Sequence, residues 1–293
     1  MAAKQYENLV TLACVSFNSV WGDKAANLEK MAGLVEEAAS VGNNIIILPE
    51  LALSGYQCSD EFDRGCSMHR KLAETIPGPA TDRIAELAAK WGVYVIFGMP
   101  ERDQENPDLL YIAAPVIGPE GLLGVYRKMH LHIAPFTESR CFHPGHSLPV
   151  FETRFGLIGV QICYDFWLFP EASRVLMLKG ADIIANPTAS ASAPGKEEFI
   201  THVTRTRGVE NMCVAATANL TGKDRTALFC GHSIIAGGGW KLSQVYAEGG
   251  PEEGIVSATV NLQLLRAQRA KRPMNAGVCR LDVISKELKQ LIE

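Results

Sequence analysis

A carboxylate, an ammonium and a thiol each follow an apolar run of strand length: Glu50 after residues 45–49, Lys128 after residues 122–126 and Cys163 after residues 157–162. At a strand end the side chain leaves the core and can meet solvent or substrate. Taken singly, each residue has an ordinary explanation as a surface carboxylate, a solvated lysine or a small apolar filler. Taken together, they form a chemical set. A thiolate is a nucleophile, a partly buried carboxylate whose pKa rises toward neutrality is a base for the thiol, and an ammonium can hold the oxyanion of a tetrahedral intermediate. Cys163 lies just ahead of a predicted helix in Gln161-Ile162-Cys163-Tyr164-Asp165, so a helix start and a nearby ammonium are expected to stabilise its thiolate.

The elements that must position these residues alternate. A strand over 11–17, a helix over 24–40 ended by Gly42 and a strand over 44–48 open the chain as β-α-β. A helix over 79–90, stopped by Gly92, leads into a strand over 94–99. Strands over 110–117 and 122–126 then pair across Gly118-Pro119-Glu120-Gly121. Residues 129–149, rich in His, Pro and Gly, read as a long loop that serves a site. The alternation resumes with a strand over 157–162, a helix over 169–179 closed by Gly180 and a strand over 182–186. A helix over 197–211, strands over 213–219 and 232–236, a Gly237-Gly238-Gly239 turn and a strand near 254–261 follow. No linker or low-complexity tract divides the chain, so residues 1–293 are expected to form one domain. Mixed strands flanked by helices predict a layered α/β sandwich.

Composition sets the outer bounds. With 47% hydrophobic and 20% charged residues among 293, the chain has apolar surface enough for a sizeable core, which excludes wholesale disorder. A net charge of −4 gives no global reason to bind nucleic acid. The basic cluster Arg266, Arg269, Lys271 and Arg272 reads as a solvated or subunit-facing stretch. No export signal and no apolar stretch of membrane-spanning length is visible, so no membrane association is expected. The cysteines Cys14, Cys58, Cys66, Cys141, Cys163, Cys213, Cys230 and Cys279 form no CxxC pair. They are expected to be free thiols in a reducing cytoplasm.

Three segments resemble the signatures of the nitrilase superfamily: Leu48-Pro49-Glu50-Leu51, Tyr126-Arg127-Lys128-Met129-His130-Leu131, and Ile162-Cys163-Tyr164-Asp165 followed by Pro170-Glu171. Their order and spacing fit, and Arg207-Gly208-Val209-Glu210-Asn211 and Gly231-His232-Ser233 are similar to later landmarks. The resemblance runs from about Leu9 to Asn261. It implies a four-layer α-β-β-α sandwich that forms a homodimer or larger homo-oligomer, with the tail from about 262 at the subunit interface. It further implies Glu50 as base, Lys128 as oxyanion stabiliser, Cys163 as nucleophile and Glu138 as a second glutamate supporting the lysine. The implied reaction passes through a thioester on Cys163, with the backbone N–H of Tyr164 helping to receive the negative charge, and needs no metal or organic cofactor.

The same resemblance bears on substrate. True nitrilases carry Trp-Glu after the nucleophile, whereas Tyr164-Asp165 looks like the amidase and carbamoylase branches, so hydrolysis of a small amide is expected. An N-carbamoyl amine or N-carbamoyl amino acid, of the carbamoylputrescine or ureidopropionate type, is the alternative. Relatives with carboxylate-bearing substrates often place arginine three or four residues after the cysteine, where this chain has Phe166 and Trp167. An uncharged or aromatic-compatible pocket is therefore expected, with Phe166 and Trp167 as walls or as packing beneath the site. Tyr56, Tyr164 and Asn186 complete the candidate substrate contacts. One residue more than in common relatives separates Trp167 from Pro170-Glu171, so the pocket wall can differ. The acidic run Asp60, Glu61 and Asp63 either attracts an amine-bearing substrate or is a solvated surface.

Three rival readings are weaker. His130, His132, His143 and His146 gather around Cys141 as a zinc-compatible set, but their H-x-H and H-x-x-H spacings match no common zinc signature, and no metal is expected. A silent relative serving as a binding subunit should have lost one of Glu50, Lys128 and Cys163, and all are present. Gly237-Gly238-Gly239 lacks the spacing of a phosphate loop.

Overall fold

The computed structural model describes residues 5–57, 66–133, 138–239, 241–271, 274 and 277–292. Cys58, Arg272 and the acidic run Asp60, Glu61 and Asp63 lie outside the described residues. The first half contains β1 (Leu9–Ser16), α1 (Lys24–Ser40), β2 (Ile45–Ile47), α2 (Ser67–Leu72), α3 (Pro79–Trp91), β3 (Tyr94–Ile96), β4 (Met99–Arg102), β5 (Leu110–Gly118) and β6 (Gly121–Arg127). There follow β7 (Val150–Thr153), β8 (Gly156–Val160), α4 (Tyr164–Leu168), α5 (Pro170–Leu178), β9 (Ile183–Thr188), α6 (Lys196–Glu210) and β10 (Val214–Asn219). The chain then runs through β11 (Thr221–Asp224), β12 (Ala227–Cys230), β13 (Ile234–Gly237), β14 (Gln244–Glu248), β15 (Gly254–Asn261), α7 (Leu262–Lys271) and α8 (Leu281–Ile292).

The short runs Ile45–Ile47 and Tyr94–Ile96 are buried throughout, the pattern of parallel strands covered on both faces. They pair in parallel beside β1, giving a sheet of order β15-β1-β2-β3-β5-β4 with β6 added to β5. The second sheet has order β14-β13-β10-β9-β8-β7, with β8, β9 and β10 parallel. β1 and β2 contact β9 and β10, so the two sheets face each other; α1 and α3 pack on the first and α6 on the second. Between the sheets, Leu12, Cys14, Ile45, Ile47, Ile96, Ile183, Ala185, Val214 and Ala216 belong to one buried cluster. The result is a mixed α/β fold in which the strand ends of both sheets share a face-to-face arrangement.

Local chemistry explains the boundaries. Asp23 caps α1 by accepting the Ala26 N–H at 3.0 Å. Pro79 opens α3, where its missing N–H costs no hydrogen bond. The expected helix over 169–179 is α5, and a further short helix, α4, precedes it; the two are separated at Phe169, whose φ of −117° and ψ of 80° are not helical. Pro170 disfavours helical backbone in the residue before it. The expected strand over 94–99 likewise divides into β3 and β4.

The start of the tail is fastened to the body of the chain. Leu262 and Leu265 of α7 are buried, and Arg266 and Arg269 both reach Asp182, just ahead of β9. These two arginines are part-buried, and a buried carboxylate of the same chain holds them both. Among the described residues, no helix is long and apolar enough to cross a membrane.

Candidate active site

The turn carrying Glu50 is pinned between β2 and β3. Leu48 donates its N–H to Ile96 O at 2.8 Å, and Gly98 donates its own to Pro49 O at 2.9 Å. A Cβ on Gly98 would lie 2.5 Å from Glu50 Cα, so only glycine allows this approach. Lys128 follows β6, clamped by its N–H to Ile112 O at 2.9 Å and by Gly145 N–H to its carbonyl at 2.8 Å. Lys128 Nζ donates to Glu50 Oε1 and to Glu138 Oε1, each at 2.7 Å, and all three residues are buried. Glu138 opens a single 3-10 turn, Glu138–Arg140. Its Oε1 also accepts the Tyr56 hydroxyl at 2.6 Å, and its Oε2 the His132 N–H at 2.9 Å.

Cys163 arrives from the other sheet. It sits at the junction of β8 and α4 with φ 50° and ψ −104°, a conformation costing on the order of 1–3 kcal/mol for a residue with a side chain. The surroundings hold it there: its N–H donates to both Pro187 O and Asn186 Oδ1 at 3.0 Å, and its carbonyl accepts the N–H groups of Phe166 and Trp167. Among the described residues the Tyr164 N–H has no acceptor, which leaves it available beside the nucleophile. Two residues on, buried Asp165 accepts the Tyr126 hydroxyl at 2.7 Å, the His130 N–H at 2.7 Å and the Met129 N–H at 3.3 Å. One carboxylate thereby ties the strand bearing Lys128 to the turn bearing Cys163.

The electrostatics follow from burial. Desolvation pushes the Glu50 carboxyl up to about 7, against the pull of the Lys128 ammonium and with a further push from Glu138. The Cys163 thiol acts on that carboxylate as a weak donor, while Oε2 has no partner at ordinary hydrogen-bond distance among the described residues. Burial also pushes Glu138 up, but Lys128, Tyr56 and the His132 N–H outweigh it and leave the carboxyl below its ordinary value. Lys128 is pulled down by burial yet ends well above its ordinary value, because Glu138, Glu50 and Cys163 all favour the ammonium. Burial and the neighbouring Glu50 push Cys163 up to about 12. This corrects the expected resting thiolate: α4 has only five residues, and its start does not offset desolvation beside a carboxylate. Both shifts favour the proton-bearing thiol over the thiolate beside a carboxyl raised toward neutrality.

The other candidates separate. Tyr56 joins the cluster through Glu138. Tyr164 is part-exposed, its ring 5.0 Å from that of His132. Trp167 donates its indole N–H to Thr188 Oγ1 at 3.1 Å, and the Thr188 hydroxyl in turn hydrogen-bonds the Cys163 thiol. Phe166 is fully buried in a core cluster with Leu176 and Ile184, against which Cys163 also packs. One expectation, that of Asn186 as a substrate contact, is corrected. Asn186 is fully buried with its oxygen on Cys163 N–H and its nitrogen on Thr217 Oγ1, so it orients the nucleophile's backbone and has no free group for a substrate. The histidines are dispersed among other contacts. His130 stacks on Phe169 at 3.5 Å and lies 2.7 Å from Asp165, His143 faces Tyr111, and Cys141 is bonded to Cys66. That disulfide is a further correction, since Cys66 and Cys141 were expected to be free.

Thr188 belongs to the site and was not singled out from sequence, while Tyr126 and Asp165, which also belong to it, stood in the family-like segments without a role of their own. A signal existed for Tyr126, which shares a strand face with Lys128 two residues on. The Thr188 contact depends on β8 and β9 being neighbours and leaves no local trace.

Known proteins are similar along nearly the whole chain. A nitrilase of Pyrococcus abyssi is 35% identical over 263 residues, covering 89% of this chain and 93% of that protein. The omega-amidase NIT2 of Danio rerio is 35% identical over 263 residues, covering 86% and 88%. The crystal structure of Saccharomyces cerevisiae Nit3, a member of branch 10 of the nitrilase superfamily, superposes with a TM-score of 0.79 at 25% identity, covering 94% of this chain and 98% of that one. The carbon-nitrogen hydrolase family matches residues 11–270, and the chain belongs to that family, an enzyme of the nitrilase superfamily acting on non-peptide carbon–nitrogen bonds.

Proposed function

We propose that the chain is an amidase that hydrolyses a small linear amide to a carboxylate and ammonia through a thioester on Cys163. The observation that carries this reading is the buried Lys128 ammonium shared by Glu50 and Glu138, with Glu50 raised to about 7 beside the Cys163 thiol. As Cys163 Sγ attacks the amide carbon, Glu50 takes the thiol proton, and Lys128 with the Tyr164 N–H receives the oxyanion. Collapse of the intermediate breaks the carbon–nitrogen bond while Glu50 returns the proton to the departing nitrogen. Water then enters, Glu50 removes its proton, and the thioester is hydrolysed. Glu138 and Tyr56 keep Lys128 charged and in place throughout.

Trp167 beside the nucleophile favours a neutral or aromatic amide, while the name of the Danio rerio relative makes ω-amides the competing substrates. The proposed setting is a cytoplasmic homo-oligomer. The test is ammonia release from neutral amides, ω-amides, N-carbamoyl amines, N-carbamoyl amino acids and nitriles, by the wild type and by Cys163→Ala. Turnover of an amide that disappears in the variant is expected. Preference for a carbamoyl compound or a nitrile would replace the reading, and activity surviving in Cys163→Ala would end it.

A further inference from the structure

Glu138 and Tyr56 are bracketed by a cysteine pair that the proposed chemistry does not use. Cys66 and Cys141 are 75 residues apart in sequence, yet their Cα atoms lie 5.5 Å apart, inside the range a disulfide spans, and both are buried. Each belongs to a stretch that touches the Lys128 cluster. Cys141 donates its N–H to the Glu138 carbonyl at 2.9 Å, as does Phe142, so Cys141 closes the turn that presents Glu138. Cys66 opens α2, on which buried His69 sets Nε2 3.2 Å from the Tyr56 carbonyl oxygen and its ring 5.1 Å from that of Phe142. The Tyr56 hydroxyl completes the circuit at Glu138 Oε1, 2.6 Å away. A bond between the two sulfurs closes a ring of contacts around the carboxylate that supports Lys128.

We infer that Cys66 and Cys141 form a reversible thiol–disulfide link that holds Glu138 and Tyr56 against Lys128, so that the redox state of this pair sets the efficiency of the site. The oxidant is a low-molecular-weight disulfide. One cysteine attacks it, forming a mixed disulfide and releasing one small thiol; the second cysteine displaces the other small thiol and closes the protein link. Two protein thiols and one small disulfide thus become one protein disulfide and two small thiols, the two protons passing from the cysteines to the released thiolates. Reduction runs the same steps backward.

The inference takes Glu138 as a supporting member of the proposed site but does not depend on the identity of the substrate, so its test reads Cys163 itself. The full chain is equilibrated in glutathione buffers from reducing to oxidising, treated briefly with iodoacetamide between pH 5 and 9, and digested with trypsin without reduction. Cys66, Cys141 and Cys163 fall on separate tryptic peptides, residues 65–70, 141–154 and 155–174. Oxidising buffer is expected to give a linked 65–70/141–154 species. In the linked state Cys163 alkylation should rise with pH along the Glu50 titration. Reduction should move that rise to lower pH, because a displaced Glu138 no longer pushes Glu50 up. For any amide turned over, kcat/KM should fall on reduction, by up to about a hundredfold, the scale of a 1 Å misplacement in a site. The C66S/C141S variant should keep the reduced profile in every buffer, and the reduced wild type serves the same comparison without a substitution. Absence of the linked species at every poise, or a linked species whose Cys163 pH profile matches that of the reduced chain, overturns the inference. Failure of the substrate panel sinks the amidase reading and leaves this measurement intact.

Discussion

Two charge clusters built on buried carboxylates are made of similar groups and are suited to opposite tasks. Around Lys128, one ammonium is shared by two carboxylates. Around Asp182, two guanidiniums share one carboxylate, and they also donate to carbonyls, Arg266 to Phe155 O and Arg269 to Ala181 O. In the first cluster negative charge is in surplus, so desolvation has a carboxyl to act on, and Glu50 rises to about 7 with one oxygen lacking an ordinary partner. In the second, the carboxylate is over-supplied with donors, and α7 is fastened to the loop before β9. A buried ion cluster becomes reactive when its partners are too few for one member, and structural when they are enough.

Substitution of the carboxylate in each cluster is the harshest test of that contrast. Glu50→Gln should cut kcat/KM by about a thousandfold, within the range general-base removal gives, with little change in unfolding free energy. Asp182→Asn should leave kcat little changed but cost about 1.5–3 kcal/mol in denaturant unfolding, because two part-buried arginines lose the buried charge they share. If Asp182→Asn damaged kcat as deeply as Glu50→Gln, the clusters would not differ in kind.

Titration sharpens the contrast further. Glu50 must be a carboxylate to accept the thiol proton, so kcat/KM should be level above about pH 7 and fall about tenfold per unit below it. Glu138→Gln removes a negative charge that raises Glu50, so the acid limb should move to lower pH while kcat drops through the loss of support for Lys128. An acid limb that stays in place in Glu138→Gln would show that Glu138 does not act on Glu50 electrostatically.

The reactive cluster was more legible in the sequence than the structural one, for a physical reason. Glu50, Lys128 and Cys163 each end an apolar strand, and strand ends announce themselves by a change from apolar to polar residues. Glu138 lies in a loop that periodicity cannot place, and its position came from a family resemblance. Asp182 and Arg266 are 84 residues apart and meet only because α7 packs on β1, so the basic cluster read as surface. Cys66 and Cys141 were unreadable for the same reason. Asn186 was misassigned because a position on a neighbouring strand does not say whether its side chain meets the cavity or the nucleophile's backbone. The alternation of strands and helices was plain, while the break at Phe169 required weighing Pro170 against the helical pattern.

The gentlest comparison removes one hydrogen bond from each cluster and keeps every charge. Tyr56→Phe deletes the hydroxyl that donates to Glu138 Oε1 at 2.6 Å; a bond to a charged group is worth about 1.5–3 kcal/mol, so kcat should fall about tenfold or somewhat more. Arg269→Lys retains a cation for Asp182 but loses the forked geometry that also reaches Ala181 O at 2.9 Å, and should cost about 1 kcal/mol of stability with no kinetic change. The two readouts should not cross, because the Tyr56 hydroxyl supports a group that must remain poised for proton transfer, whereas Arg269 supports only the docking of a helix. A kinetic defect in Arg269→Lys would mean that strain at the start of β9 travels along that strand to Asn186, which holds the Cys163 N–H, and so that the structural cluster governs the reactive one.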